Sequence, residues 1–126
     1  MQTKQEIFEN LRSALSKSLD IEENEISLDS HLFRDFKIES VEILDITFRI
    51  EQEFDFTMGE GEFWNIADLI ANEGLFNNGF SDEAKALIKE NFSMSDETID
   101  SLTSPFDIYK HITVEDFVNY IENKLY

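Results

Sequence analysis

Apolar residues recur at helical spacing along most of this chain, and this periodicity restricts its fold more than any other feature. Thr3 and Glu6 have the spacing of a capping box at the start of the first periodic segment. Aliphatic residues then repeat at every fourth position and predict a helix over about 4–19: Ile7, Leu11, Leu15 and Leu19. Since no run of strand-like alternation bounded by turns is present, the sequence predicts an all-α fold.

Further helices are predicted where the same period returns after a capping or turn residue. They cover 40–54, about 63–76, about 82–92, 96 to about 102 and 114–125, with Ser81, Ser95 and Thr113 as caps. The polar stretch 20–39 predicts a long ordered loop with one short turn. Asn77, Asn78 and Gly79 predict a turn, and Pro105 interrupts the chain before the last two segments.

The charge of the chain restricts its partners. It has 126 residues, with 28 Asp and Glu against 10 Lys and Arg, for a net charge of −18. Binding nucleic acid or an anionic membrane surface needs clustered Lys and Arg, so neither is an expected partner. A protein partner with a cationic face is the expectation. Apolar residues still make up 41%, which is enough for a packed core in a chain of this length.

Several classes of chemistry lack the residues they need. The chain has no cysteine, which excludes disulfides and thiolate sites, and no metal-ligand motif is present. His31 and His111 are its two histidines, and neither lies in a nucleophile motif. No signal peptide or membrane span is recognised, so a cytoplasmic protein is expected.

The segment from Ser40 to Phe54 has an unusual helical projection. Its charged and amide residues occupy one sector, namely Glu42, Asp45, Arg49, Gln52 and Glu53, with Glu51 as the exception. Most of the remaining circumference is apolar: Val41, Ile43, Leu44, Ile46, Phe48, Ile50 and Phe54. This arrangement predicts a central helix of a small bundle, buried on most sides and showing one acidic stripe to solvent. Ser40 stands at its start, where a serine is ordinarily an N-cap.

Two stretches resemble the acyl carrier protein family. "IESVEILDITFRIEQEFDF", residues 38–56, is similar to the start and length of that family's second helix, and "ITVEDFVNYI", residues 112–121, is similar to its last helix. The resemblance implies a helical bundle in which Ser40 receives a covalent 4′-phosphopantetheine arm from coenzyme A through a phosphopantetheinyl transferase. The arm holds acyl groups as thioesters, so the protein is expected not to be an enzyme. A phosphodiester on Ser40 would lie where helix N–H groups favour negative charge.

Two residues before the serine depart from the family pattern. Glu39 replaces an aspartate, and Lys37 stands where the family has glycine three positions before the serine. These departures indicate either an unusual transferase or a carrier that stays unmodified.

The resemblance also implies surfaces for partners and cargo. The acids expected to dock cationic patches on acyl-processing enzymes are Glu39, Glu42, Asp45 and Glu53, although a charge run is commonly only a solvated face. The side chains expected to line an acyl pocket, when they do not serve only as core, are Ile43, Ile46, Ile50 and Phe54. The protein is expected to be a monomer.

The chain is longer than an ordinary carrier. We expect a single domain with a core of 1–58 and 105–126, and with two or three additional helices inserted at about 59–104. These helices either enlarge the acyl pocket, provide a separate docking surface, or only extend the structure. Since "IADLIA" at 66–71 also resembles a carrier's closing helix, a second alignment would make 75–126 an appendage.

The predicted function is therefore to carry acyl groups in a specialised fatty-acid or lipid pathway, including lipopolysaccharide acylation. The alternatives are an aminoacyl or peptidyl carrier and an unmodified acidic helical adaptor. A calcium-binding loop is disfavoured because "DIEENEISLDSH", residues 20–31, lacks the glycine and ligand spacing of an EF-hand. A hydrolase lacks its nucleophile and base.

Overall fold

The computed structural model describes residues 2–59, 62–76 and 79–126. The helices, in chain order, are α1 (Lys4–Leu19), α2 (Leu32–Phe36), α3 (Ser40–Phe54), α4 (Ile66–Gly74), α5 (Asp82–Asn91), α6 (Asp96–Asp100), α7 (Pro105–His111) and α8 (Val114–Leu125). Within the described ranges the strands are limited to one two-residue pair, β1 (Leu75–Phe76) and β2 (Gly79–Phe80). The predicted all-α class is confirmed, and three of these helices fall within 59–104 as expected.

The chain divides into two compact units. The first unit comprises residues 1–58 and 113–126, and the second comprises residues 59–112. The division therefore assigns α7 to the second unit and leaves only α8 with the N-terminal segment, whereas the boundary predicted from the sequence lies at residue 104. The first unit therefore contains α8 together with α1 and α3. Helix α4, which includes residues 66–71, lies in the second unit.

In the first unit, α1 packs against both α3 and α8. The residues that meet there are aliphatic or aromatic and almost completely buried: Ile7, Leu11, Leu15, Ile46, Ile50, Phe54, Phe117, Val118 and Ile121. Their spacing within each helix is the one that the sequence showed, because side chains four positions apart lie on one helix face. Interdigitation of these side chains forms the core of the unit.

The ends of α1 and α8 are held by matching capping boxes. The N–H of Glu6 donates to Thr3 Oγ1 at 3.1 Å, and the N–H of Thr3 donates to Glu6 Oε1 at 3.0 Å. At α8, the N–H of Thr113 donates to Asp116 Oδ2 at 3.0 Å, and the N–H of Asp116 donates to Thr113 Oγ1 at 3.2 Å. Both predicted caps are confirmed; each satisfies helix-end donors that have no partner inside the helix.

The loop between α1 and α3 is ordered by α8. The N–H of Val114 donates to the Ser30 carbonyl at 2.9 Å, and the N–H of Glu115 donates to the Leu28 carbonyl at 3.0 Å. The loop contains a 3-10 helix at Glu23–Glu25 in addition to α2. The sequence had predicted a single short turn in this stretch.

The burial predicted for α3 is wrong on one side of the helix. Val41, Leu44 and Phe48 are exposed by 70%, 72% and 61%. These three residues recur at helical spacing, and they form an apolar surface ridge, called here the α3 ridge. The helix therefore has two apolar faces: one contributes to the core and the other contacts solvent.

The second unit is organised around a close approach of α4 and α5. A Cβ atom placed on Gly74 would lie 2.5 Å from Ala84 Cβ, so only glycine permits this spacing. The N–H of Ser81 donates to the Gly74 carbonyl at 2.8 Å, and β1 pairs with β2 in antiparallel register, Leu75 opposite Phe80. The predicted turn at 77–79 falls mainly on Asn77 and Asn78, which lie outside the described residues.

Serine caps begin the helices that follow. The N–H of Ala84 donates to Ser81 Oγ and the N–H of Thr98 donates to Ser95 Oγ, both at 3.1 Å, as predicted. Pro105 occupies the first turn of α7, where its missing N–H costs nothing. Within the described ranges, none of the helices has the length and apolar character that a bilayer crossing requires.

Candidate functional site: the serine that begins α3

Ser40 is the first residue of α3 and not its N-cap. The capping position is Glu39, whose N–H donates to Glu42 Oε1 at 2.8 Å and whose carbonyl accepts from the N–H of Ile43 at 3.0 Å. The Ser40 side chain is exposed, and its hydroxyl makes no hydrogen bond with the residues that the structure describes. The helix is therefore capped without the serine, and the hydroxyl is available to solvent.

The surroundings of Ser40 suit an attached anion. The first N–H groups of an α-helix have no acceptor within the helix, and they carry the positive end of its dipole. A phosphate esterified to the Ser40 oxygen would lie beside these groups. Among the described residues, no base is hydrogen-bonded to the hydroxyl.

His31 is occupied elsewhere. Its ring contacts Arg34 Nη2, at 2.9 Å through Nδ1, and its Nδ1 lies 3.7 Å from Asp35 Oδ2. In the described ranges, no group of histidine, aspartate and glutamate side chains has an arrangement that could hold a metal ion.

Lys37 adopts a backbone conformation that glycine usually supplies. It follows α2 with φ 51° and ψ 50°, in the left-handed region. The left-handed conformation costs a residue with a Cβ atom about 1–2 kcal/mol. The glycine that carriers have three positions before the serine matches this requirement, so the lysine keeps the backbone shape of the site at some cost in stability.

The four acids predicted to form a docking stripe are not equivalent. Glu39 and Glu53 are exposed, and Glu42 is half-buried and bound to the Glu39 N–H. Asp45 is engaged within the chain: its Oδ2 accepts from the Ser18 hydroxyl at 2.6 Å and from Arg49 Nε at 2.9 Å. The Ser18 hydrogen bond, and then the Arg49 hydrogen bond, lower the pKa of Asp45 below its ordinary value.

The exposure of the α3 ridge was not predicted from the sequence. Val41, Leu44 and Phe48 lie beside the acidic stripe. A helical projection of α3 places Glu51 between these three residues and the apolar residues that reach the core. The sequence therefore indicated two separate apolar faces. Exposed apolar residues bordered by charges are typical of protein interaction sites.

The predicted acyl-pocket residues lie mainly in the core. Ile46 and Ile50 are completely buried, Phe54 is 4% exposed and Ile43 is half-buried. A separate open cavity of about 430 Å³ lies beside the start of α3 in the same unit. Its lining combines apolar side chains with carboxylates: Leu19, Ile21, Phe36, Glu25, Asp35 and Glu42.

Comparison with known proteins agrees with this geometry. A family described as "Phosphopantetheine attachment site" matches residues 9–71, a segment that begins in α1, includes Ser40 and ends in α4. The acyl carrier protein of Borrelia garinii subsp. bavariensis is 34% identical over 68 residues, covering 52% of this chain and 85% of that protein. The acyl carrier protein of Petrotoga mobilis is 33% identical over 64 residues, covering 51% and 75%. No solved structure matches the chain significantly.

The family match and the similarity to acyl carrier proteins define a group-carrier protein, a class that holds its cargo on a covalent arm. The chain belongs to the phosphopantetheine-binding acyl carrier protein family. Its cofactor is covalently attached 4′-phosphopantetheine. Members of this family interact with phosphopantetheinyl transferases and acyl-processing enzymes, and they are generally not catalytic themselves.

Proposed function

We propose that Ser40 is the attachment residue and that the chain carries acyl groups as thioesters on the arm bound there. The observation that supports this most strongly is the free, exposed hydroxyl of Ser40 at the first residue of α3, together with a cap supplied by Glu39 and Glu42. In the loading step the Ser40 oxygen bonds to phosphorus of coenzyme A, 3′,5′-ADP leaves, and the hydroxyl proton passes to a base of the transferase. The carrier contributes the orientation of the oxygen and the positive end of the helix.

Intact-mass spectrometry tests this assignment. The purified chain, incubated with coenzyme A and a broad-specificity phosphopantetheinyl transferase, should gain the mass of one phosphopantetheine, and fragmentation should locate it on Ser40. Ser40→Ala should gain none, whereas Ser95→Ala, which removes another exposed serine at a helix start, should load normally. A mass gain that persists in Ser40→Ala, or no gain in the native chain, would refute the assignment.

The α3 ridge and its neighbouring acids are the surface on which partner enzymes dock. Val41, Leu44 and Phe48 offer apolar area to the partner, while Glu39 and Glu53 provide exposed negative charge for a basic rim. Asp45 contributes less free charge because Arg49 binds it. Leu44→Ser should lower the transferase kcat/KM with Ser40 intact, and Leu69→Ser, which replaces a 48% exposed leucine of the second unit, serves as the control. Equal loading of both variants would remove the ridge from docking.

The acyl chain is sheltered in the first unit. Ile46, Ile50 and Phe54 are packed, so a chain can enter beside them only if core side chains move apart. The open cavity beside α3 needs no such movement. Methyl NMR of the acylated protein distinguishes the two: shifts centred on Ile46 and Ile50 support the predicted pocket, and shifts centred on Leu19 and Ile21 place the chain in the cavity.

We propose a specialised fatty-acid or lipid pathway as the setting, of which lipopolysaccharide acylation is one example. This rests on the unit formed by residues 59–112, which adds surface that the matched segment of 9–71 mostly does not include. Mass spectrometry of the thioester isolated with the protein from its native host would identify the cargo. A thioester with an amino acid or peptide would instead support the alternative carrier class.

A further inference from the structure

The second unit contains an apolar groove between α4 and α5. It has a volume of about 290 Å³. Its floor consists of Gly74 and Ala84, whose close approach leaves space for no larger side chain. Its walls are apolar, and two of the side chains that form them are unusually exposed, Phe76 by 60% and Leu87 by 44%. This feature is called here the α4–α5 groove.

The rim of the α4–α5 groove is acidic. Glu73 on α4 and Glu83 on α5 both line it, and both side chains are exposed. Neither carboxylate takes part in an ion pair or hydrogen bond with the described part of the chain. Among the described residues, these two rim charges therefore have no partner.

The cations of the same unit are held away from the groove. Residues 59–112 contain three lysines and no arginine. Each lysine is paired with an aspartate outside the groove: Lys85 with Asp100 at 3.1 Å, Lys89 with Asp96 at 2.7 Å, and Lys110 with Asp107 at 3.5 Å. On α5 the lysines lie on the side that meets α6, while Glu83 and Leu87 lie on the groove side. The groove thus combines exposed apolar area with two carboxylates that form no ion pair with the described residues.

This combination selects one kind of occupant. A volume of about 290 Å³ is at the lower limit for a small-molecule site and suits inserted side chains. The two carboxylates would repel the phosphate or carboxylate head of a lipid or acyl donor, and they would repel a second copy of a chain with a net charge of −18. Lysine or arginine side chains beside an apolar anchor match the groove in both respects.

We propose that the α4–α5 groove is a docking site for a cationic segment of a partner protein, which inserts an aliphatic or aromatic side chain between Phe76 and Leu87 and places lysine or arginine beside Glu73 and Glu83. The site lies within residues 59–112 and requires neither Ser40 nor its modification. It gives the inserted helices a role in partner choice.

A peptide selection tests the proposal directly. A displayed library of random linear peptides is selected on the immobilised full chain and then depleted on the double variant Phe76→Ser/Leu87→Ser. The surviving peptides should share an aliphatic or aromatic residue flanked by Lys or Arg. Both replaced side chains are surface-exposed, so the variant should fold, and circular dichroism and amide NMR spectra verify this before the depletion step.

Binding measurements with one surviving synthetic peptide define the groove residues. By fluorescence anisotropy, Leu87→Ser should weaken binding by about tenfold or more, as loss of a central anchor does. Glu73→Gln/Glu83→Gln should also weaken it and reduce its salt dependence. Phe106→Ser, which removes a 69% exposed phenylalanine of the same unit, should leave affinity unchanged. Ser40→Ala should bind the peptide normally, which separates this result from the attachment of the arm.

Three results would overturn the proposal. One is the absence of any peptide that distinguishes the full chain from the double variant. Another is enrichment of peptides without cationic residues. The third is self-association of the full chain in sedimentation experiments that Leu87→Ser abolishes and Phe106→Ser does not, since this would assign the groove to a second copy.

Discussion

The Ser18 hydroxyl of α1 donates a 2.6 Å hydrogen bond to the Asp45 carboxylate of α3. The same carboxylate oxygen accepts from Arg49 Nε at 2.9 Å. Ser18 and Arg49 approach Asp45 from two helices, so this acid links α1 to α3 while lying within the docking stripe predicted from the sequence. The internal bonds reduce the negative charge that Asp45 offers to a partner.

The first prediction concerns the pKa of Asp45. Because Ser18 and Arg49 both favour its charged form, the folded protein should titrate Asp45 below its ordinary value of 3.8. A lowered folded pKa means that the stabilising effect is complete above the pKa of the unfolded chain and is lost as pH falls through the folded pKa. NMR titration of the Asp45 carboxyl carbon measures the midpoint. Ser18→Ala and Arg49→Gln should each raise it, and Ser13→Ala should not.

The second prediction concerns the left-handed backbone at Lys37. Lys37→Gly should increase the free energy of unfolding by about 0.5–1 kcal/mol, since relief of the Cβ strain exceeds the added entropy of the unfolded chain. Urea denaturation measures the change. Lys37→Ala is the matched control, because it removes the same charge but keeps the strain. A gain of equal size in Lys37→Ala would assign the effect to the lysine charge.

The third prediction concerns the contact between Gly74 and Ala84. Gly74→Ala would place its new methyl carbon 2.5 Å from Ala84 Cβ and should destabilise the protein by about 1–3 kcal/mol. Gly74→Ala combined with Ala84→Gly removes the methyl group that clashes. The pair should therefore show a favourable coupling energy in a double-mutant cycle of thermal denaturation. Additive losses would indicate that the helices adjust their spacing freely.

The fourth prediction concerns the Tyr109 hydroxyl, which links α7 to α4. It donates to the Trp64 carbonyl at 3.0 Å and to Asp68 Oδ2 at 2.9 Å. Burial, and then the Asp68 carboxylate, raise the pKa of Tyr109 above its usual range. Tyr109→Phe should destabilise the second unit by about 1 kcal/mol and speed amide exchange in α4 and α7. Asp68→Asn keeps an acceptor for the hydroxyl and should destabilise the second unit less than Tyr109→Phe does. Equal destabilisation by the two variants would indicate that the Asp68 charge makes the main contribution.

Features set by neighbouring residues were predictable from the sequence. Thr3 with Glu6, Thr113, and the serines before α5 and α6 identified helix starts that the structure confirms, because a cap depends only on side chains and backbone a few positions apart. The core faces of α1 and α8 followed from their four-residue spacing for the same reason.

Features set by distant segments were not predictable. The exposure of Val41, Leu44 and Phe48 depends on which helices lie beside α3, and a helical projection gives directions around one helix without its neighbours. Strands of two residues are too short to show alternation, which explains why β1 and β2 were missed. At the site, the start of a helix at Ser40 was predictable from the sequence, but the capping role of Glu39 was not.

The cap at Glu39 and Glu42 has a consequence for how the chain tolerates chemistry at the exposed Ser40 oxygen. Since α3 draws none of its own stability from the Ser40 hydroxyl, esterifying or freeing that oxygen leaves every backbone hydrogen bond of the helix in place. The hydroxyl proposed to carry the arm and the groups that cap α3 thus belong to different residues. A variant without the Ser40 hydroxyl therefore keeps the capping hydrogen bonds of the helix.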